Sequence, residues 1–217
     1  MPLVYAQKMA TPPQGRQRQT SAESREAILA AANELVRTLP YRELSVETVM
    51  ERANLSRTIF YRHFDGMSGL VIALLTTLGE GMLELSGQFA QNGLAAKSGK
   101  VNPDSDVIRD SLKSVIDFFV DNGPLVKGVV DASVEDAELE AAYGGFIRHF
   151  SAEAGDAIQG LKDRGLTDVP DAHATAEALT SLNENYLLRT LGRHPQEDPA
   201  VVLDTIAMIW SRTLNLK

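Results

Sequence analysis

Apolar residues recur at the helical period along most of the chain. Ile28, Leu29, Ala32, Leu35 and Val36 fall on one face of an amphipathic helix beginning near Arg25, with Ser24 or Ser21 placed to cap its start and Pro40 to stop it. A short second helix follows, with Ser45 as N-cap and Val46, Val49, Met50 and Ala53 on its buried face. Asn54, which enters the left-handed conformation readily, stands where a tight turn must end it. Ser56 then caps a third helix whose Ile59, Phe60 and Phe64 point inward, so that Arg57, Thr58, Tyr61 and Arg62 face out.

The remainder also reads as helix. An amphipathic run spans Leu70 to Phe89, and a polar connection covers 91–106. A stripe of Ile108, Leu112, Val115, Ile116 and Phe119 marks a helix from Val107 to Asn122, which Gly123-Pro124 is expected to end. Further helices are expected from Leu125 to about Ala132, from about Ala137 to Arg164, from Asp171 to Leu191, and from Pro199, a natural first-turn proline, to Leu214. No segment has a convincing period of two. The expected fold is all-α. A flexible arm (1–24) precedes a three-helix helix-turn-helix unit (25–69) and a larger helical domain (70–217).

Composition narrows the class. Of 217 residues, 44% are hydrophobic and 23% charged, as in ordinary globular chains, and there is no cysteine for a disulfide, a thiolate metal site or a nucleophile. Leu70–Leu75 is six residues long and no apolar run exceeds it, far short of a bilayer span, and the first residues lack a signal-peptide core. These features point to a cytoplasmic protein with no membrane partner. The net charge of −8 argues against a nucleic-acid partner only if it is uniform. It is not. Residues 1–69 carry nine Lys/Arg and seven Asp/Glu, net +2, and the rest carry twelve and twenty-two, net −10. Arg52, Arg57, Arg62 and His63 occur without an intervening carboxylate, and the local field is what a polyanion meets.

Two short helices joined by a turn of about three residues and braced by a third make a helix-turn-helix. The second helix of such a pair enters the major groove, so it needs one apolar face and an opposite face of cationic or hydrogen-bonding groups. Arg57 can reach a guanine edge, Thr58 a base or thymine methyl, and Tyr61 and Arg62 phosphates or bases. Ser45 can offer its hydroxyl and backbone N–H to a phosphate.

Residues 25–70, and above all LSVETVMERANLSRTIFYRHFDGMSGL with its closing Tyr61, Arg62, His63 and Phe64, resemble the N-terminal domain of TetR-type transcriptional regulators. The resemblance implies a homodimer that binds a palindromic double-stranded operator and releases it when a small hydrophobic effector enters the C-terminal domain. It places Ser45, Arg57, Thr58, Ile59, Tyr61, Arg62 and His63 at DNA-facing positions. Two departures stand out. Gly66 and Met67 occupy the place of the family's usual Ser-Lys pair, which weakens a phosphate anchor, and Asn54 replaces the usual turn glycine.

The stretches ALTSLNENYLLRTL and PAVVLDTIAMIW resemble the ethionamide-monooxygenase repressor (EthR) subgroup, in which an Asn and a Trp border a long apolar tunnel. Asn183 and Trp210 match those positions. Asn183 also lies in the stripe Leu179, Leu182, Asn183, Tyr186, Leu187, where a buried amide needs a partner, either a neighbouring helix or a ligand carbonyl. Phe118, Phe119, Tyr143, Phe146, Ile147 and Phe150 read as core on spacing alone. The subgroup resemblance turns Phe119, Phe146 and Phe150 into pocket walls, and with Asn183, Tyr186 and Trp210 they form the expected ligand site. The last helix is apolar on more than one face, so the last two helices are expected to form the homodimer interface as a four-helix arrangement.

Nothing in the sequence calls for a cofactor. His63, His149, His173 and His194 have no metal-ligand spacing, Gly93 to Lys100 matches a phosphate loop only loosely, and no catalytic constellation is recognisable. The chain is therefore read as a regulator and not an enzyme. The alternative is an all-helical small-molecule binder or enzyme with a vestigial DNA-binding head, which predicts ligand binding or turnover without a DNA shift.

Overall fold

The computed structural model describes residues 20–79 and 106–216, and among these every regular element is helical. The expected arm before Thr20, the Leu70–Phe89 run beyond residue 79, the 91–106 connection and the Gly93–Lys100 segment lie outside, or almost wholly outside, the described residues.

The head comprises α1 (Ser21–Val36), a single 3-10 turn (Tyr41–Glu43), α2 (Val46–Arg52), α3 (Arg57–Phe60) and the helical segment 67–79, here α4. α1 begins earlier than the apolar stripe suggests, and neither Ser24 nor Ser21 caps it. Thr20 does: its hydroxyl accepts from the Glu23 amide at 3.2 Å while Glu23 accepts from the Thr20 amide at 2.7 Å, a reciprocal capping box. Ile28, Val49, Phe60 and Leu70 are fully buried where the four helices meet.

The body comprises α5 (Asp106–Ser133), α6 (Ala137–Asp163), α7 (Ala172–Thr190) and α8 (Pro199–Leu214). α6 and α7 form an antiparallel hairpin stitched by Tyr143 to Glu184 at one level and Ser151 to Thr180 at another. Gly165, at φ +71°, reverses the chain after α6. Asp136, Asp171 and Asp198 each cap the helix that follows by accepting backbone N–H groups. α8 packs on α5, and one apolar core runs from the head through the body.

The expected break at Gly123-Pro124 does not occur; α5 is one helix of 28 residues with Pro124 inside it. A proline lacks the N–H that would bond the carbonyl four residues back. Here that carbonyl, of Val120, accepts from the side-chain amide of Gln196 at 3.1 Å, and the next, of Asp121, accepts from the Arg37 guanidinium. Gly123 is required at its position because a Cβ there would meet the Leu191 carbonyl oxygen at 2.2 Å.

Candidate functional site

α2, the turn and α3 form the outward-facing end. Ser45 is the N-cap of α2, and its hydroxyl accepts from the Thr48 amide at 3.1 Å while Thr48 Oγ1 accepts from the Ser45 amide at 3.0 Å. Asn54 adopts φ 54°, and the Leu55 amide closes the turn on the Met50 carbonyl at 3.0 Å. Ser56 precedes α3 in extended conformation, though its side chain makes no capping bond.

α3 divides by face. Phe60 is fully buried, edge-on to Tyr61 at 5.3 Å between centroids and tilted against Phe64 at 5.6 Å, and the Arg25 guanidinium covers Phe64. On the opposite face Arg57, Thr58, Tyr61 and Arg62 are exposed. Arg57 donates to the Tyr61 hydroxyl at 3.3 Å, a bond that raises the pKa of a side chain already always charged. Ile59 is half-buried and packs on the core, and His63 is half-buried beside Phe64. Arg52, counted with the basic cluster in the sequence, is ion-paired with Glu34. Met67 opens α4 half-buried against the core, and its neighbour Ser68 donates to Asp136.

Asp136 joins this end to the body. One carboxylate oxygen caps α6, and the other accepts from Ser68 of α4 and, at 3.4 Å, from Tyr41 of the 3-10 turn. The Ser68 hydroxyl, followed by the backbone donors of α6, holds its carboxyl below the usual range, whereas burial pushes the Tyr41 phenol up.

A second candidate site lies inside the body. A cavity of about 140 Å³ is walled by Phe119 of α5, Phe146 and Phe150 of α6, Asn183 of α7 and Trp210 of α8. Phe146 and Phe150 meet edge-to-face at 4.8 Å. Trp210 Nε1 donates to Asn183 Oδ1 at 3.1 Å, with both residues buried, so the helix partner the sequence allowed for Asn183 is present at the cavity wall. Tyr186 is not in this wall. It is half-buried in the packing around the core, about 60° from Asn183 on the helical wheel. Tyr143 and Glu184 line the cavity and were not assigned to it from sequence. Their signal was available: Tyr143 stands three and seven residues before Phe146 and Phe150. The Tyr143 hydroxyl donates to Glu184 at 2.8 Å, and burial first, then the Glu184 charge, push that phenol far up, so it stays protonated. α4 reaches this wall as well: a Cβ on Gly79 would fall 2.8 Å from the Phe146 ring.

Known proteins place the chain. Residues 28–74 match the family described as "Bacterial regulatory proteins, tetR family", and residues 108–215 match "Transcriptional regulator EthR, C-terminal domain". The HTH-type transcriptional regulator EthR of Mycobacterium tuberculosis is 30% identical, with 94% of each chain covered. The chain belongs to the TetR family. It is a DNA-binding transcriptional regulator, and the EthR of Mycolicibacterium smegmatis is similar to it at 24% identity over 98% of this chain and 96% of that one. Among solved structures, a TetR-family regulator from Rhodococcus sp. superposes with a TM-score of 0.70 at 22% identity, covering 88% of this chain and 99% of that one. Thermus thermophilus FadR, a TetR-family repressor solved with lauroyl-CoA, superposes at 0.57 and 18% identity, covering 88% and 94%. No helix among the described residues of this TetR-family regulator is long and apolar enough to cross a membrane, and no group of three His, Asp or Glu there is arranged to hold a metal ion.

Proposed function

We propose that the chain is a homodimeric repressor whose α3 reads a palindromic double-stranded operator and whose body cavity takes a small hydrophobic effector that ends the binding. The observation that carries this reading is the division of α3: a fully buried Phe60 sets the helix in place, and four exposed donors and cations, Arg57, Thr58, Tyr61 and Arg62, stand opposite it. Arg57 and Thr58 open the helix, where base edges are met, and Tyr61 and Arg62 suit phosphates. Ser45 presents the start of α2 to the backbone, and Ile59 and His63 support the same surface from half-buried positions.

The pairing of two chains is assigned to α7 and α8. Leu182 on α7 and Val201 and Met208 on α8 are exposed apolar side chains, which a second copy would cover. Two-fold pairing would set the α3 helices in successive major grooves, about 34–36 Å apart. Phe119, Phe146, Phe150, Asn183 and Trp210 form the effector site. Its coupling to the head runs through α6, which carries the cavity aromatics and receives its cap from Asp136, and through Gly79 against Phe146.

The experiment is a shift assay on the protein's own upstream DNA, with and without hydrophobic candidates, beside sedimentation of the free protein. A dimer that retards one fragment and releases it on ligand addition is the expected result. Failure to shift any such fragment at low salt, with Arg57→Ala behaving like the wild type, defeats the DNA reading.

A further inference from the structure

The charged groups described at the cavity are of a single sign. Glu153 of α6 and Glu184 of α7 both line it, and among the described residues no lysine, arginine or histidine does. Neither glutamate makes an ion pair among the described residues. Glu184 is held in place by the Tyr143 hydroxyl on Oε1, which leaves Oε2 as an acceptor, since an ionised carboxylate offers about four lone-pair sites. Glu153 stands ten residues beyond Tyr143 on α6, about 15 Å of helix rise, so the two charges mark different ends of the space.

Asn183 is an independent pointer to a ligand. It is 9% exposed, and an indole N–H only donates, so the amide oxygen must be the atom that faces Trp210. Its Nδ2 group makes no hydrogen bond to a described residue, while no fully buried side-chain nitrogen or oxygen among them lacks a partner. Asn183 and Glu184 both line the cavity, so N–H donors without a described partner stand beside a carboxylate between aromatic walls.

We infer that the effector of this cavity is a hydrophobic amine, its apolar body among Phe119, Phe146 and Phe150, its ammonium against Glu184, and any acceptor atom near the amine on the Asn183 amide. This rests on the reading of the cavity as the effector site. A ligand carboxylate of the same length is disfavoured: at either end it would be buried beside a like charge with no cation among the described lining residues to pair it, whereas an ammonium finds a fixed counter-charge.

The chain has one tryptophan, Trp210, and it lies in this wall, so its emission reports occupancy. Decylamine, decanol and decanoate, each below its micelle concentration, are titrated into the full chain near neutral pH. The amine is expected to bind about tenfold or more tighter than the alcohol, and the alcohol tighter than the acid. Glu184→Gln keeps an acceptor for Tyr143 and should bring amine and alcohol within about threefold, while Glu153→Gln should leave the amine ahead. Equal binding of all three by the wild type, or tightest binding of decanoate, overturns the inference and leaves an uncharged apolar effector site standing. Loss of the preference in Glu153→Gln but not in Glu184→Gln overturns the assignment to Glu184. Absence of any emission change with all three defeats the effector reading and this inference together.

Discussion

The two candidate sites are built by opposite means. The reading face lies on a four-residue helix and the turn directly after it, pointed outward because Phe60 on the other side has nowhere to go but the core. The cavity takes its walls from α5, α6, α7 and α8, with α4 reaching Phe146; Phe119 and Trp210 are 91 positions apart, and Asn183 and Glu184 are fixed by bonds between helices. A site of the first kind tolerates changes to its exposed side chains and fails when its anchor is lost; a site of the second kind couples every wall residue to stability.

The largest expected effect tests the anchor. Phe60→Ala should cost about 3–5 kcal/mol in urea unfolding, because it empties a fully buried aromatic site, and should abolish DNA binding without touching a DNA-facing group. Arg57→Ala, on the exposed face, should leave unfolding unchanged and weaken operator affinity by about 1–3 kcal/mol in fluorescence anisotropy if it reads a guanine. Equal losses of stability in these two variants would erase the contrast. In the cavity, Trp210→Phe leaves Asn183 Oδ1 buried without its donor and should cost about 1–3 kcal/mol of stability with unaltered intrinsic operator affinity.

The smallest effect concerns the joint. The folded pKa of Asp136 is depressed by Ser68 and the α6 amides, so its contribution is complete above the unfolded value, ~3.9, and is lost as pH falls through the folded value. The difference in melting temperature between wild type and Asp136→Asn should therefore shrink as the solution is acidified through that range, and a constant difference would sink the assignment. Asp136 is half-buried and its carboxylate is still partly open to water, which keeps the effect small.

The contrast also explains what could be read in advance. Arg57, Thr58, Tyr61 and Arg62 were legible because their orientation follows from local helical period, and Asn54 because its backbone preference is its own. The continuity of α5 was not legible. Pro124 is a local stop signal, and what cancels it is the Gln196 amide, 72 positions along the chain. Glu184 was missed for a related reason: its place in the cavity is set by Tyr143 on another helix. Tyr186 shared a stripe with Asn183 in sequence, yet a stripe wider than the cavity puts its edge in ordinary packing. The start of α1 could have been placed, since Thr20 and Glu23 spell a capping box, but the polar stretch around them drew the boundary to the first apolar residues.

Asp136 has one more consequence, for transplantation. Since the same carboxylate that caps α6 also grips Tyr41 and Ser68, the head is not a module that can be exchanged at any convenient loop. A chimera that grafts a foreign reading head onto this body must carry hydroxyl donors at the positions of Tyr41 and Ser68, or the grafted head will sit on the body without the fastening that lets one helix answer to both.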